Sequence, residues 1–153
     1  MTHLYFEDAE VGSIRRAGPY LVSKDEIIQF AKQYDPLPRH IDEEAAARSI
    51  FGGLTASGAH TFAVFLSLRT KLQPGLHVLV GMGWDELRLQ NPVHPGDELD
   101  LEVTVLEKRE SKSKPDRGIV RDQARLRNQR REVVLQCISN LLVARRPDAK
   151  AMT

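Results

Sequence analysis

The chain has a single cysteine, Cys137, so no internal disulfide can form, and this fits a reducing compartment such as the cytosol. Cys137 lies in the strand-like run Val-Val-Leu-Gln-Cys-Ile-Ser (133–139) and reads as a small buried apolar residue. No apolar run approaches the roughly 20 residues that span a bilayer. Residues 1–13 lack a basic segment followed by an apolar one, so they do not read as a secretory signal. Internal repeats, linkers and low-complexity segments are also missing, which argues for one compact unit. The expectation is a cytoplasmic protein with no membrane partner.

What is present is ordinary in amount. The 153 residues suit one domain with a sizeable core, from 1 to 153, with about 147–153 as a frayed tail. Hydrophobic residues make up 41% and charged residues 28%. The net charge is only +1, but it is unevenly placed. Lys108 to Arg131 holds ten basic and three acidic residues, a local +7 that leaves about −6 elsewhere. Such asymmetry points to an anionic partner on one side. The segment lacks the interleaved aromatic residues that stack on bases, so nucleic acid is not the expected partner.

Local signals give the element order. Residues 14–22 read as a first strand. Ser23-Lys24-Asp25-Glu26 has the form of a capping box, with Glu26 reaching back to the cap. Ile27, Ile28, Phe30, Ala31 and Tyr34 follow at helical spacing. Pro36 disfavours the α conformation at Asp35, which ends that helix, and Pro38 is expected to keep the chain extended. Asp42 reads as the N-cap of a short helix from Glu43 to Arg48. Gly58 to Leu72 reads as a long helix, apolar nearly all round and therefore buried, ended by Pro74-Gly75.

Strands follow. His77 to Asn91 fits one curved strand with bends at Gly81 and Gly83. Leu99, Leu101, Val103 and Val105 alternate with polar residues. Ser111 to Gly118 reads as a long polar hairpin loop, Ile119 to Arg127 as a strand, Asn128 to Arg131 as a turn, and Glu132 to Arg145 as the last strand. The class is α+β: a long buried helix wrapped by a curved antiparallel sheet. Its uncovered face or edge calls for a homodimer.

The chemistry concentrates between Tyr34 and Leu72. Asp35 and His40 stand five residues apart, followed by Phe51-Gly52-Gly53-Leu54 and then Ser57-Gly58-Ala59-His60 at the start of the long helix. A carboxylate and an imidazole can manage protons. Free N–H groups at a helix start can hold a developing oxyanion.

The pattern Asp-x4-His-x-Asp, then Phe-Gly-Gly-Leu-x-Ala-Ser-Gly-x-His-Thr, resembles the MaoC-like acyl dehydratases, which include the (R)-specific enoyl-CoA hydratases. The resemblance extends to Asn-Pro-Val-x-Pro-Gly-Asp (Asn91–Asp97) and to Ser111–Gly118. It implies a hot-dog fold, a homo-oligomer, and reversible hydration of an enoyl thioester without a metal or redox cofactor, coenzyme A being part of the substrate. By the same resemblance, Asp35 and His40 hold one water for syn addition and the Gly58 N–H receives the enolate oxygen. Phe51, Gly52 and Gly53 belong to a flap over the pocket, and Arg39, Ser57 and His60 lie in the substrate-binding region.

Plainer readings stand beside these. Taken without the surrounding motif, Asp35 reads as a helix end and His40 as a loop histidine, and Asp42 reads as a cap. Asp35, His40, Asp42 and His60 have ligand chemistry but no diagnostic metal spacing. His60 reads better as a hydrogen-bonded core histidine than as a catalytic one. His3, His77 and His94 read as surface or strand-end residues. Arg121, Arg125 and Arg127 solvate a sheet face, or else Lys112, Lys114 and Arg117 meet the phosphates of coenzyme A. Two departures from the family pattern stand out: Arg39 precedes the histidine, with Asp35, an acyl group or CoA as its possible partner, and Ala59 replaces a frequent tryptophan. Two rival functions share this fold, a hot-dog acyl-CoA thioesterase and a catalytically silent acyl-CoA-binding subunit.

Overall fold

The alternation read in the strands carries through to a five-stranded antiparallel sheet in a computed structural model that describes residues 3–147. The strands are β2 (Ile14–Leu21), β4 (Val78–Leu89), β5 (Glu98–Glu110), β6 (Arg117–Arg127) and β7 (Val133–Ala144), in the order β2-β5-β6-β7-β4. Leu99, Leu101, Val103 and Val105 of β5 point inward and are at most 2% exposed. A separate parallel pair joins β1 (His3–Leu4) to β3 (Gly75–Leu76). The expected frayed tail lies outside the described residues beyond Pro147.

The inner face of the sheet wraps α4 (Gly58–Arg69), which packs on β2, β5 and β7. Val64, Phe65 and Leu68 fill the core against Leu99, Leu101, Leu126 and Leu135. This curved sheet around one buried helix is the hot-dog fold. Three shorter helices precede α4: α1 (Lys24–Tyr34), α2 (Pro38–Ile41) and α3 (Glu43–Ala47). Cys137 is 2% exposed, and burial pushes its thiol up to about 11, so it packs as an apolar residue.

Four local expectations are corrected. Ser23 caps α1 by accepting from the Glu26 N–H at 3.1 Å, but the Glu26 carboxylate turns to Tyr20 and His60 instead of returning to the cap. Pro38 does not hold the chain extended; it opens α2, where its missing N–H has no partner to lose. The long helix stops at Arg69 rather than Leu72, because the Thr70 N–H bonds to Leu66 and Leu68 carbonyls and tightens the last turn before Pro74 is reached. Residues 4–13, which by sequence read as an ordered entry loop, are not only loop: His3–Leu4 pair with β3, and Phe6–Asp8 form a 3-10 turn.

β4 is an edge strand with three register shifts against β7, at Val78/Val80, Gly81/Gly83 and Asp85/Arg88. Almost all of it is exposed, including Val78, Leu79, Val80, Met82, Leu87 and Leu89. A long apolar edge of this kind is normally covered.

Candidate active site

The site begins where α1 ends. The Asp35 N–H still bonds the Ala31 carbonyl, but its backbone has left the helix at φ −155°. Two residues on, α2 closes a single turn that swings His40 inward to 4% exposure. There its Nδ1 lies 2.6 Å from the Thr55 carbonyl oxygen. A carbonyl only accepts, so Nδ1 bears the proton and the Nε2 lone pair is left free. Nε2 faces Asp35 Oδ2 at 3.7 Å, beyond a direct hydrogen bond.

Asp35 is fixed from its other side. Ser57 Oγ donates to Asp35 Oδ2 at 2.7 Å and accepts from the Ala59 N–H at 3.2 Å. Ser57, 1% exposed, is thus both N-cap of α4 and a clamp on the carboxylate. The next residue, Gly58, lines the same cleft as Asp35 and His40, and its N–H has no acceptor among the described residues. A Cβ at 58 would meet Leu89 Cδ1 and push that exposed side chain aside, so glycine lets Leu89 close over this helix end.

The cleft encloses about 230 Å³ between α2, the start of α4 and the end of β4. Arg39 and Phe51 line it with Thr55, Thr61 and residues 89–93, whereas Gly52 and Gly53 are not among the lining residues. Gly52 turns the chain there at φ +67°, with open space around it. Arg39 is exposed, and no ion pair joins it to Asp35 among the described residues. Asn91–Asp97 serves as scaffold: Asp97, 4% exposed, accepts from the His94 N–H and from Gln129, and the Val93 carbonyl receives the Ala56 N–H.

Other expected residues are not brought here. His60 points away from the cleft into a buried cluster, stacked on Phe30 at 4.6 Å and 3.2 Å from Glu26 Oε1. Burial lowers its pKa, against the pull of Glu26, and its Nδ1 is buried with no hydrogen-bond partner among the described residues, so it packs in the core without being fully satisfied there. Ser57 supports Asp35 and is not among the lining residues. Asp42 caps α3 through the Glu44 and Ala45 N–H groups. Asp35, His40, Asp42 and His60 therefore do not converge on one point.

Lys112, Lys114 and Arg117 sit on the β5–β6 hairpin, in register with Ala144 at the far end of β7. The cleft belongs to the Leu89–Leu135 end, nine β6 residues away, or about 30 Å at ~3.3 Å per residue. Within one chain these cations do not reach the cleft. Much of the basic segment is neutralised locally: Arg121 pairs with Asp85 and Glu107, Arg127 with Glu102, and even Arg117 of the hairpin with Asp116.

Sequence reasoning missed the Thr55 carbonyl and the Ser57 clamp, since a backbone acceptor leaves no residue signature. It also missed Asp122, which is fully buried and held by Arg69 through a two-pronged ion pair. Its signal was there: Asp122 falls in the inward register of Val120, Ala124 and Leu126.

A proton-accepting nitrogen, a clamped carboxylate and an unclaimed helix-start N–H in one cleft form an acid–base site with an oxyanion donor. A family model described as "MaoC like domain" matches residues 8–126. The MaoC-like dehydratase from Rhodospirillum rubrum is similar over 95% of this chain and 99% of its own, at 44% identity and a TM-score of 0.88. The R-hydratase PhaJ1 from Pseudomonas aeruginosa is similar over 94% of this chain and 88% of its own, at 26% identity and a TM-score of 0.78. The 3-hydroxybutyryl-CoA dehydratase of Methylorubrum extorquens is 34% identical over 68% of this chain, which spans 65% of that relative's length. The chain belongs to the MaoC-like dehydratase family.

Proposed function

We propose that the protein adds water reversibly to an enoyl-CoA, giving a 3-hydroxyacyl-CoA. The observation that carries this is the 3.7 Å separation of two proton acceptors, His40 Nε2 and Asp35 Oδ2, beside the Gly58 N–H. Neither acceptor can bond the other, so a water that donates one hydrogen to each is the natural occupant. As its oxygen bonds C3, one proton passes to this pair and electron density moves to the thioester oxygen, which the Gly58 N–H stabilises. A proton from the pair then reaches C2 and the carbonyl reforms. Losing such an oxyanion donor typically costs about 10²–10³ in rate. No electrons are gained or lost overall, so the reading calls for no redox group. The hydratase and dehydratase relatives support the same reaction.

The reading includes a second copy of the chain on the β4 edge. Antiparallel pairing of two β4 strands sets the Val78 end of one beside the Leu89 end of the other. The β5–β6 loop belongs to the Val78 end, so Lys112, Lys114 and Arg117 of the second copy approach the cleft as phosphate contacts. Light scattering should show at least a dimer, and a stable monomer at micromolar concentration would contradict this assembly.

The central test is a double-mutant cycle with Asp35→Asn and His40→Ala, read as loss of enoyl absorbance. Each variant should lose about 10²–10⁴ in turnover. The double variant should be little worse than either, because both groups serve one water. Retention of more than about a tenth of turnover by both would refute the mechanism. Thiol release with the enoyl absorbance intact would make the protein a thioesterase, and ligand binding without either reaction a silent acyl-CoA-binding subunit.

A further inference from the structure

A second cavity, of about 430 Å³, opens at the other end of α4, between its last turns, β3 and β4. Its volume falls within the roughly 300–1,000 Å³ of small-molecule sites. The walls are mainly apolar, from Leu66, Leu72, Leu76, Trp84 and Leu141. Arg15, a residue 8% exposed on the inward side of β2, also lines it. Arg15 Nη1 donates to the Pro74 carbonyl at 3.1 Å, while Nη2 is buried with no hydrogen-bond partner among the described residues.

The charges around it do not balance. Arg69 and Asp122 form a bidentate pair, with Ser139 Oγ 3.5 Å from Arg69 Nη1. Arg15 feels that carboxylate only at longer range and feels the Arg69 cation as well. Two guanidiniums therefore share one carboxylate, leaving this buried cluster at +1. Burial and Arg69 both act against the Arg15 charge, but a guanidinium keeps its proton. A buried cation without a partner is costly and functional sites are where such costs are met.

We propose that this cavity binds the carboxylate of a small acid with an apolar body, the Arg15 side chain turning to present its unpartnered Nη2 to the carboxylate and the leucines and Trp84 taking the body. A phosphate or sulfate fits less well, because one free guanidinium nitrogen in apolar walls cannot satisfy a dianion. The carboxylate has two possible sources. One is a free acid. The other is the far end of a dicarboxylic acyl chain whose thioester lies in the cleft, since both hollows flank α4, with Gly58 and Arg69 about 16 Å apart along its axis.

Trp84 is the chain's one tryptophan and lines the cavity, so its fluorescence reports occupancy without any turnover. Hexanoate and hexan-1-ol are the probes. Hexanoate should bind wild type at least about tenfold more tightly than the alcohol, as expected for a charge-assisted bond. Arg15→Met should bring the two affinities together, and Arg15→Lys should restore part of the preference. Equal binding of acid and alcohol by wild type, or no hexanoate binding, overturns the proposal even if the methionine variant fails to fold. The source is read separately, and only this arm rests on the proposed hydratase reaction. If the ligand is an acyl end, Arg15→Met lowers kcat/KM about tenfold for an ω-carboxylated enoyl-CoA and spares the methyl-ended one. If it is a free acid, the ratio of the two substrates is unchanged while hexanoate affinity still falls.

Discussion

Replacing Ser57 with alanine should separate positioning from packing in this site. The change removes one oxygen that makes two bonds: it donates to Asp35 Oδ2 at 2.7 Å and accepts from the Ala59 N–H at 3.2 Å. Loss of an N-cap costs about 1 kcal/mol. A hydrogen bond to a charged group contributes about 1.5–3 kcal/mol, but Asp35 is 34% exposed, so solvent recovers part of that and the low end applies. The sum is about 2.5 kcal/mol, or a melting shift of about 5–10 °C for a domain of this size. The kinetic loss should be larger than the stability loss implies. Without the clamp, Asp35 leaves the line to His40 Nε2, and misplacement of a reacting group by about 1 Å costs on the order of 10² in rate. Stopped enoyl absorbance assays should therefore show kcat falling about 10–100-fold with KM little changed. Ser57→Thr keeps the hydroxyl and should recover most of it. If Ser57→Ala lowers the melting temperature yet keeps kcat within about twofold, Asp35 does not need its clamp and the positioning argument fails.

Three further outcomes follow from the same geometry. Asp122→Asn removes the carboxylate from between Arg69 and Arg15 and should cost about 3–5 kcal/mol in denaturant titration, whereas an unchanged midpoint would mean the cluster is not electrostatically coupled. Burial depresses the pKa of His60, so the unfolded chain takes up its proton first; the stability this contributes is present above about pH 6.5 and is lost as pH falls through the lower folded value. His60→Gln should flatten that part of the wild-type pH–stability curve. Tyr20 is pushed up to about 12 by its bond to Glu26, so its contribution is present below about pH 10 and lost as pH rises towards the folded value, a slope that Tyr20→Phe should remove.

The parts legible in sequence were those written in side-chain period or in local backbone rules. Pro36 forced the chain out of α1 at Asp35 because of a steric clash that acts on the neighbouring residue alone. The alternation in β5 placed Leu99 to Val105 inward with no reference to the rest of the molecule. Ser57 and Gly58 marked the start of α4 by capping chemistry and by the freedom of a helix end. The residues that depend on distant partners behaved differently. Pro38 satisfies the rule for an extended neighbour and the rule for a first helical position equally well, and only the packing of His40 against Thr55 decides between them. Glu26 satisfied the capping-box spacing, but its carboxylate instead accepts from the Tyr20 hydroxyl and faces His60, partners the local spacing does not show.

Asp122 shows where a local rule carried more information than was taken from it. A charged residue in the inward register of a strand breaks the apolar pattern, and burying it demands a cation from another element. The elements able to supply one are few: the sheet's inner face meets the long helix, whose expected span from Gly58 to Leu72 carries Arg69 and Lys71. The alternation of β6 together with the composition of that helix thus narrows the partner of Asp122 to two cations, and the structure selects Arg69. Arg15 follows by the same step, since it too falls inward on an edge strand of that face. Two inward cations against one inward anion is a sequence-level imbalance. It points to the cavity at the end of α4 as directly as Asp35 and His40 point to the cleft at its start.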